Sequence, residues 1–173
     1  MGNPLVLIVM GSDSDLPVMG ETARILEEFG VPYEMRISSA HRSPERTAEL
    51  AEGAAGRGIR VIVAGAGMAA HLAGVVSAAT SLPVIGVPLD GGALSGMDAL
   101  MSTVQMPGGI PVATMSIGRA GAKNAGILAV RILALGDESL MERLEGYREK
   151  MAREVEEKDA SLGERRQTMP VAE

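Results

Sequence analysis

The chain holds two histidines, His41 and His71, and each stands among residues suited to holding an anion or moving a proton. His41 lies in Ser39-Ala40-His41-Arg42, where a base that titrates near neutral pH adjoins a fixed cation and a hydroxyl. Upstream, Gly11-Ser12-Asp13-Ser14-Asp15 offers the Ser12 and Ser14 hydroxyls and the Asp15 carboxylate beside a glycine turn. Together with Ser39, Arg42 and Ser43 these groups have the composition of an anion site. Backbone amides at a helix start and a guanidinium fork both match phosphate oxygens. Ordinary turn and capping chemistry also accounts for Ser12 to Asp15, and an N-cap role accounts for Ser43. It does not account for a titratable base set next to an arginine, so His41 is the expected proton carrier. His71 is expected at a helix start, where the positive dipole end favours neutral imidazole, able to donate one hydrogen bond and accept another.

Other chemistries fit less well. Cysteine is absent, which removes disulfides, thiolate nucleophiles and thiolate metal sites. Two histidines without an HExxH spacing make a poor metal set. A Ser-His-Asp triad is open on composition, but no GxSxG elbow occurs. Gly65-Ala66-Gly67-Met68-Ala69-Ala70 satisfies a loose GxGxxA pattern, with Asp90 about where a ribose-binding carboxylate would fall. That segment follows the third expected strand, however, whereas the dinucleotide fingerprint follows the first.

The elements that position these residues are legible as alternation. Apolar runs at Leu5 to Met10, Tyr33 to Ile37, Val61 to Ala66, Val84 to Val87 and Val112 to Ile117 are too short for ordinary helices and read as buried strands. Between them, Asp15 with Pro17, and Ser43 with Pro44, have the form of helix starts. The first helix is expected to end at Phe29 before Gly30, a third to span Ala70 to Thr80, and the last core helix to run from Gly121 to Leu135. Strand-helix alternation with short connections predicts an α/β domain with a parallel central sheet and helices on both faces. In such sheets ligands bind beyond the carboxyl ends of the strands. Segments 11–15, 38–43, 65–71, 90–96 and the stretch Gly118 to Asn124 all fall at that edge.

Totals bound the remainder. At 173 residues and 46% apolar, the chain fits one globular domain, and with 2% aromatics its core must be aliphatic. A net charge of −6 and the scarcity of aromatics argue against nucleic-acid and membrane-surface partners. No apolar stretch is long enough to span a bilayer and no basic segment precedes the first apolar run, so a cytoplasmic location is expected. After Gly136 charged residues dominate, with one apolar stripe at Leu140, Leu144, Tyr147, Met151 and Val155. The stripe fits either a helix packed on its own domain or one that crosses a subunit boundary. One domain is expected over residues 1–160, with residues 161–173 as a flexible tail.

Several motifs in order give a resemblance. Gly11-Ser12-Asp13-Ser14-Asp15, Ser39-Ala40-His41-Arg42, Gly65-Ala66-Gly67, Ala69-Ala70-His71-Leu72 and Val104-Gln105-Met106-Pro107 resemble the motifs of the PurE family, over about Leu5 to Leu135. The resemblance implies a three-layer flavodoxin-like fold with a central parallel sheet, here with an additional C-terminal helix, and a homo-octamer. It implies no metal or organic cofactor, and a small-molecule ribonucleotide substrate. The family's activity is transfer of a carboxylate in purine biosynthesis, from the exocyclic nitrogen of N5-carboxyaminoimidazole ribonucleotide to ring carbon C4. A related branch carboxylates aminoimidazole ribonucleotide directly with CO2, and a non-catalytic ribonucleotide-binding oligomer is the alternative from another class. Carried over by motif, His41 is the general acid/base. Ser12, Ser14, Asp15, Ser39 and Arg42 hold the ribonucleotide, and Gly67, Ala69, Ala70, His71 and Leu72 line the base and carboxylate region. The stretch Gly118 to Asn124 is expected to complete the pocket as a loop, and amides of residues 67–70 to surround the CO2. The sequence departs from the commonest pattern at Met68, where glycine is frequent, at Ala73, where proline is common, and at Asp90-Gly91-Gly92.

Overall fold

A computed structural model of the protein describes residues 2–167. Five strands form one sheet: β1 (Val6–Met10), β2 (Tyr33–Ile37), β3 (Val61–Gly67), β4 (Val84–Leu89) and β5 (Ala113–Thr114). All pair in parallel in the order β2-β1-β3-β4-β5, the flavodoxin-like arrangement. The interposed helices are α1 (Leu16–Glu28), α2 (Pro44–Glu52), α3 (Leu72–Ala78), α4 (Met97–Val104) and α5 (Gly118–Ala134). β1 and β4 are buried at every position, which is why they read as unbroken apolar runs rather than alternating ones.

Strand periodicity divides the core between two faces. Leu7 and Val9 of β1 with Ile62 and Ala64 of β3 pack with Ala51 of α2 and with Leu72, Ala73 and Val76 of α3. On the other face α1 and α5 meet closely. The buried Thr22 hydroxyl donates to the Ala122 carbonyl at 2.7 Å, and a Cβ on Gly126 would lie 2.8 Å from Ile25 Cβ. Gly86 serves the same purpose on β4. A Cβ there would come within 2.5 Å of Thr103 Cγ2 on α4 and 2.8 Å of Val112 Cγ1.

Local expectations are corrected in several places. The fifth strand is two residues, not the run Val112 to Ile117. It is an edge strand, Pro111 two residues before it has no N–H to offer, and beyond it the Met115 amide extends the ladder, to Gly86 O at 2.8 Å. Gly118 to Asn124 is no loop but the first part of α5, which starts at Gly118 rather than Gly121. α3 is shorter than Ala70 to Thr80. Helix α4 was not anticipated, because its buried positions are the small Ala99 and Thr103 while Met97, Met101 and Val104 stand exposed. Its apolar periodicity therefore marks a face that is not in the core.

The chain divides into two compact units, Met1–Leu133 and Ala134–Glu173. The second contains α6 (Glu138–Gln167), which carries the whole stripe from Leu140 to Val155. The Asp137 carboxylate accepts from the Leu140 amide at 3.1 Å and so caps it. α6 continues past residue 160, where the expected helix ends, and the remainder of the expected tail, 168–173, lies outside the described residues. No helix among the described residues is long and apolar enough to cross a membrane.

Gly86→Ala is expected to destabilise the protein by about 1–3 kcal/mol, since β-branched Thr103 and Val112 have no low-energy way to withdraw. Urea denaturation of the two proteins side by side measures this, and an unchanged midpoint contradicts the tight packing described.

Candidate active site

Three strand-to-helix connections converge where the sheet order reverses at β1. The first leaves β1 at Gly11 and forms a 3-10 turn, Asp13–Asp15, capped by Ser12. The Ser12 hydroxyl accepts from the Ser14 amide at 3.3 Å, and the Asp15 carboxylate accepts from the Ser12 amide at 3.0 Å. Asp15 thus closes a capping box on the turn and makes no side-chain cap bond to α1, contrary to the expected role. The Ser14 hydroxyl donates to that of Ser12 at 2.9 Å.

The second connection, from β2 to α2, is locked from both ends. The Ser38 amide donates to Met10 O at 2.8 Å, and the buried Ser38 and Thr47 hydroxyls are 2.8 Å apart. Ser43 occupies the N-cap position, yet its hydroxyl donates to Ser39 O at 3.1 Å and accepts from the Ser39 amide at 3.2 Å rather than capping α2. The Arg42 amide donates to the Ser39 hydroxyl at 3.2 Å. These bonds present His41 and Arg42 outward on a fixed loop. The Arg42 guanidinium reaches Gly11 O at 3.5 Å, a long and weak contact, and it takes part in none of the ion pairs among the described residues.

The third connection follows β3, which extends through Gly67, so Gly65-Ala66-Gly67 is strand rather than loop. The turn is Met68 to His71. The Ala70 amide donates to Met68 O and the His71 amide to Ala69 O, each at 2.9 Å. Of the amides expected to surround the CO2, those of residues 67–70, the Ala70 amide is therefore engaged, and its side chain is buried. Met68 has φ 54°, the left-handed region where a non-glycine residue is strained by about 1–2 kcal/mol, and its side chain is exposed.

His41 and His71 meet across these loops. His41 Nε2 lies 2.6 Å from His71 Nδ1, with the rings edge to face at 4.8 Å between centroids. The cleft around them is about 400 Å³ and is lined by Ser12, Asp15, Ser39, Arg42, Gly67, Ala69 and Leu72 besides the two histidines. Ser14 stands outside the lining, joined to it through Ser12, and Ala70 is excluded by burial. Gly11, Ala40, Ala66 and Met68 also line the cleft. All four stand inside the motif segments, and none carries a reactive group. α5 contributes no lining residue. A larger hollow, about 920 Å³, lies at the opposite end of the sheet among residues 77–84 and 109–111 and holds no histidine. No group of three or more His, Asp or Glu gathers to hold a metal among the described residues.

Burial raises the Asp15 carboxyl above its ordinary 3.8, opposed by hydrogen bonds from the Ser12 and Gly11 backbone and the Ser14 side chain. A half-buried carboxylate that lines the same cleft as an arginine gives it both signs of charge within one small volume.

A family model described as AIR carboxylase matches residues 5–154. The chain belongs to that family. Within it, the N5-carboxyaminoimidazole ribonucleotide mutase of Pyrococcus horikoshii is 60% identical over 93% of this chain and 90% of that protein. The mutase of the same name from Thermotoga maritima is 57% identical, over 92% of each chain. Among solved structures, Treponema denticola PurE has a TM-score of 0.82 at 32% identity, covering 92% of this chain and 98% of its own. The three-layer fold implied by the motifs is therefore that of the AIR carboxylase family, and its motif-bearing loops are the ones that build the cleft.

Because the Asp15 pKa is raised on folding, the folded state holds that proton more tightly than the unfolded one, and stability falls as pH rises from 3.8 through the raised value. Asp15→Asn removes this dependence. Urea midpoints measured across the acid range are expected to show wild type losing ground to the variant as pH rises, with a constant difference above that window. A difference independent of pH throughout contradicts the burial argument.

Proposed function

We propose that the protein is an N5-carboxyaminoimidazole ribonucleotide mutase, an isomerase of purine biosynthesis. The observation that carries this is the His41–His71 contact in a cleft beside Arg42, Ser39 and Ser12, all within a chain 60% identical to a mutase. Arg42 and the serine hydroxyls take the phosphate, for which a guanidinium outside the ion pairs of the described residues is well suited. Ser12, Ser14 and Asp15 hold the ribonucleotide, Ser14 acting through Ser12. The turn from Gly67 through Leu72 faces the imidazole base and its carboxylate.

His41 is the general acid/base. As acid it delivers a proton to the exocyclic nitrogen while the N–CO2 bond breaks, leaving aminoimidazole ribonucleotide and CO2 in the cleft. The electron-rich C4 then attacks CO2, forming the C–C bond, and neutral His41 removes the C4 proton. One proton leaves and one returns, so the reaction needs no co-reactant. Enclosure is as necessary as proton transfer, because free CO2 would otherwise diffuse away. Cofactor-free catalysis by these side chains is part of the proposal. So is a homo-octamer in the cytoplasm. Its assembly is supported by Met97, Met101 and Val104, an exposed apolar stripe on α4 that a second copy would cover. Sedimentation is expected to give eight times the 17.9 kDa chain mass. A monomer or dimer contradicts that part.

The family description, AIR carboxylase, favours a second reaction, direct carboxylation of aminoimidazole ribonucleotide by CO2. Purified protein offered either N5-carboxyaminoimidazole ribonucleotide, or aminoimidazole ribonucleotide with excess bicarbonate, separates the two. Efficient C4-carboxylated product from the first supports the mutase; product only from the second overturns it. Ribonucleotide binding with no product from either points to a non-catalytic binding protein. His41→Asn is expected to bind substrate and lose turnover by at least about 10²-fold, while Arg42→Ala chiefly weakens capture of phosphate-bearing substrates. Near-normal turnover of the first variant, or equal loss of affinity for a phosphate-free analogue in the second, contradicts the assigned roles.

A further inference from the structure

The Nε2···Nδ1 separation of 2.6 Å between His41 and His71 is a hydrogen-bond distance that two bare or two protonated nitrogens would not keep, so one proton lies between the rings. One nitrogen donates and the other accepts. If both rings were doubly protonated, two N–H groups would point at each other, so the pair carries at most one positive charge in this arrangement. The outer nitrogens, His41 Nδ1 and His71 Nε2, have no hydrogen-bond partner within the described chain. Both rings sit on braced backbone: the Ser39–Ser43 bonds fix the His41 loop, and the His71 amide and carbonyl bond to Ala69 O and the Val75 amide at 2.9 and 3.0 Å.

Two neutral arrangements are compatible with the contact, and they differ in use. If His71 Nδ1–H donates, His41 carries its proton on Nδ1 and has no free base to offer. If His41 Nε2–H donates to His71 Nδ1, His41 Nδ1 is bare in the neutral ring and carries N–H in the imidazolium. His41 then passes from acid to base and back while the inter-ring bond stays as it is. We propose that His71 is a positioning residue that accepts from His41 Nε2–H and so fixes the tautomer and orientation in which His41 works through Nδ1. This rests on the role given to His41 in the mutase reading. The carbamate nitrogen takes the proton from Nδ1 as the N–CO2 bond breaks, and Nδ1 later takes the C4 proton, with His71 neutral throughout.

The presence of only two histidines makes the test clean, because histidine-specific 15N labelling gives four ring signals in all. In the substrate-free protein with both rings neutral, His41 is expected to show a protonated Nε2 and a bare Nδ1, and His71 a bare Nδ1 and a protonated Nε2. His71→Ala is expected to give His41 the mixed tautomer signals of free imidazole and to lower kcat about tenfold or more, with KM changed less than about twofold. His71→Asn places an amide oxygen near the former Nδ1 and is expected to recover most of both the tautomer and kcat. His71 is exposed, so these variants have little fold to lose. A protonated His41 Nδ1 in the neutral wild-type protein overturns the proposal. So does a kcat unchanged in His71→Ala, or one lowered equally in the alanine and asparagine variants. If wild type shows the expected tautomers but makes no product from N5-carboxyaminoimidazole ribonucleotide, the mutase reading fails while the positioning of His41 by His71 is upheld.

Discussion

Parallel pairing of β1 with a neighbour on each side is the constraint from which the site follows. Val6 of β1 aligns with Tyr33 of β2 and with Val61 of β3, so all three strands run out at the same edge of the sheet. Their outgoing loops then lie side by side, although His41 and His71 are thirty residues apart in sequence. Because the sheet order reverses at β1, the space beyond its end is not filled by one crossover helix. That space is the cleft.

Close approach of helices to sheet makes this pairing tight enough to fix side chains at hydrogen-bond precision. Gly86 admits Thr103 and Val112 to the face of β4, and Gly126 admits Ile25 to α5. With 22 glycines and few aromatics, the protein reaches native packing by bringing backbones together rather than by filling space with large rings. The loops inherit that order. Ser38, Ser43 and Thr47 spend their hydroxyls on loop geometry and the Ser39 hydroxyl accepts the Arg42 amide, which leaves His41 and Arg42 facing outward. A scaffold that holds its reacting groups before substrate arrives needs little reorganisation during the reaction.

Sequence and structure agree where one local rule dominates. Doubly buried strands appear as apolar runs, so β1, β3 and β4 were legible. Pro44 marked the start of α2, and the polar residues of the cleft stood out by type. Rules failed where two of them competed. Asp15 had the form of a helix cap, but the Ser12 amide stood closer and took its carboxylate. The apolar run after Pro111 looked like a full strand, but an edge position supports only a short ladder. α4 was obscured because its large apolar residues face away from the core. Gly118 to Asn124 looked like a loop on glycine content and is helical because its small residues let α5 lie against α1.

The sequence by itself determined the types of most elements, the edge of the sheet at which the candidate site lies, and the identity of the histidines, arginine and serines there. Those properties depend on side-chain type and on periodicity over a few residues, both of which are local. Tertiary structure alone decided that His41 and His71 touch, that Ala70 turns into the core, and that Ser14 reaches the cleft through Ser12 and Asp15. Each of these is a distance between segments that are remote in sequence or a choice among competing hydrogen-bond partners. Such distances are set by strand order and register, which no short stretch of sequence encodes.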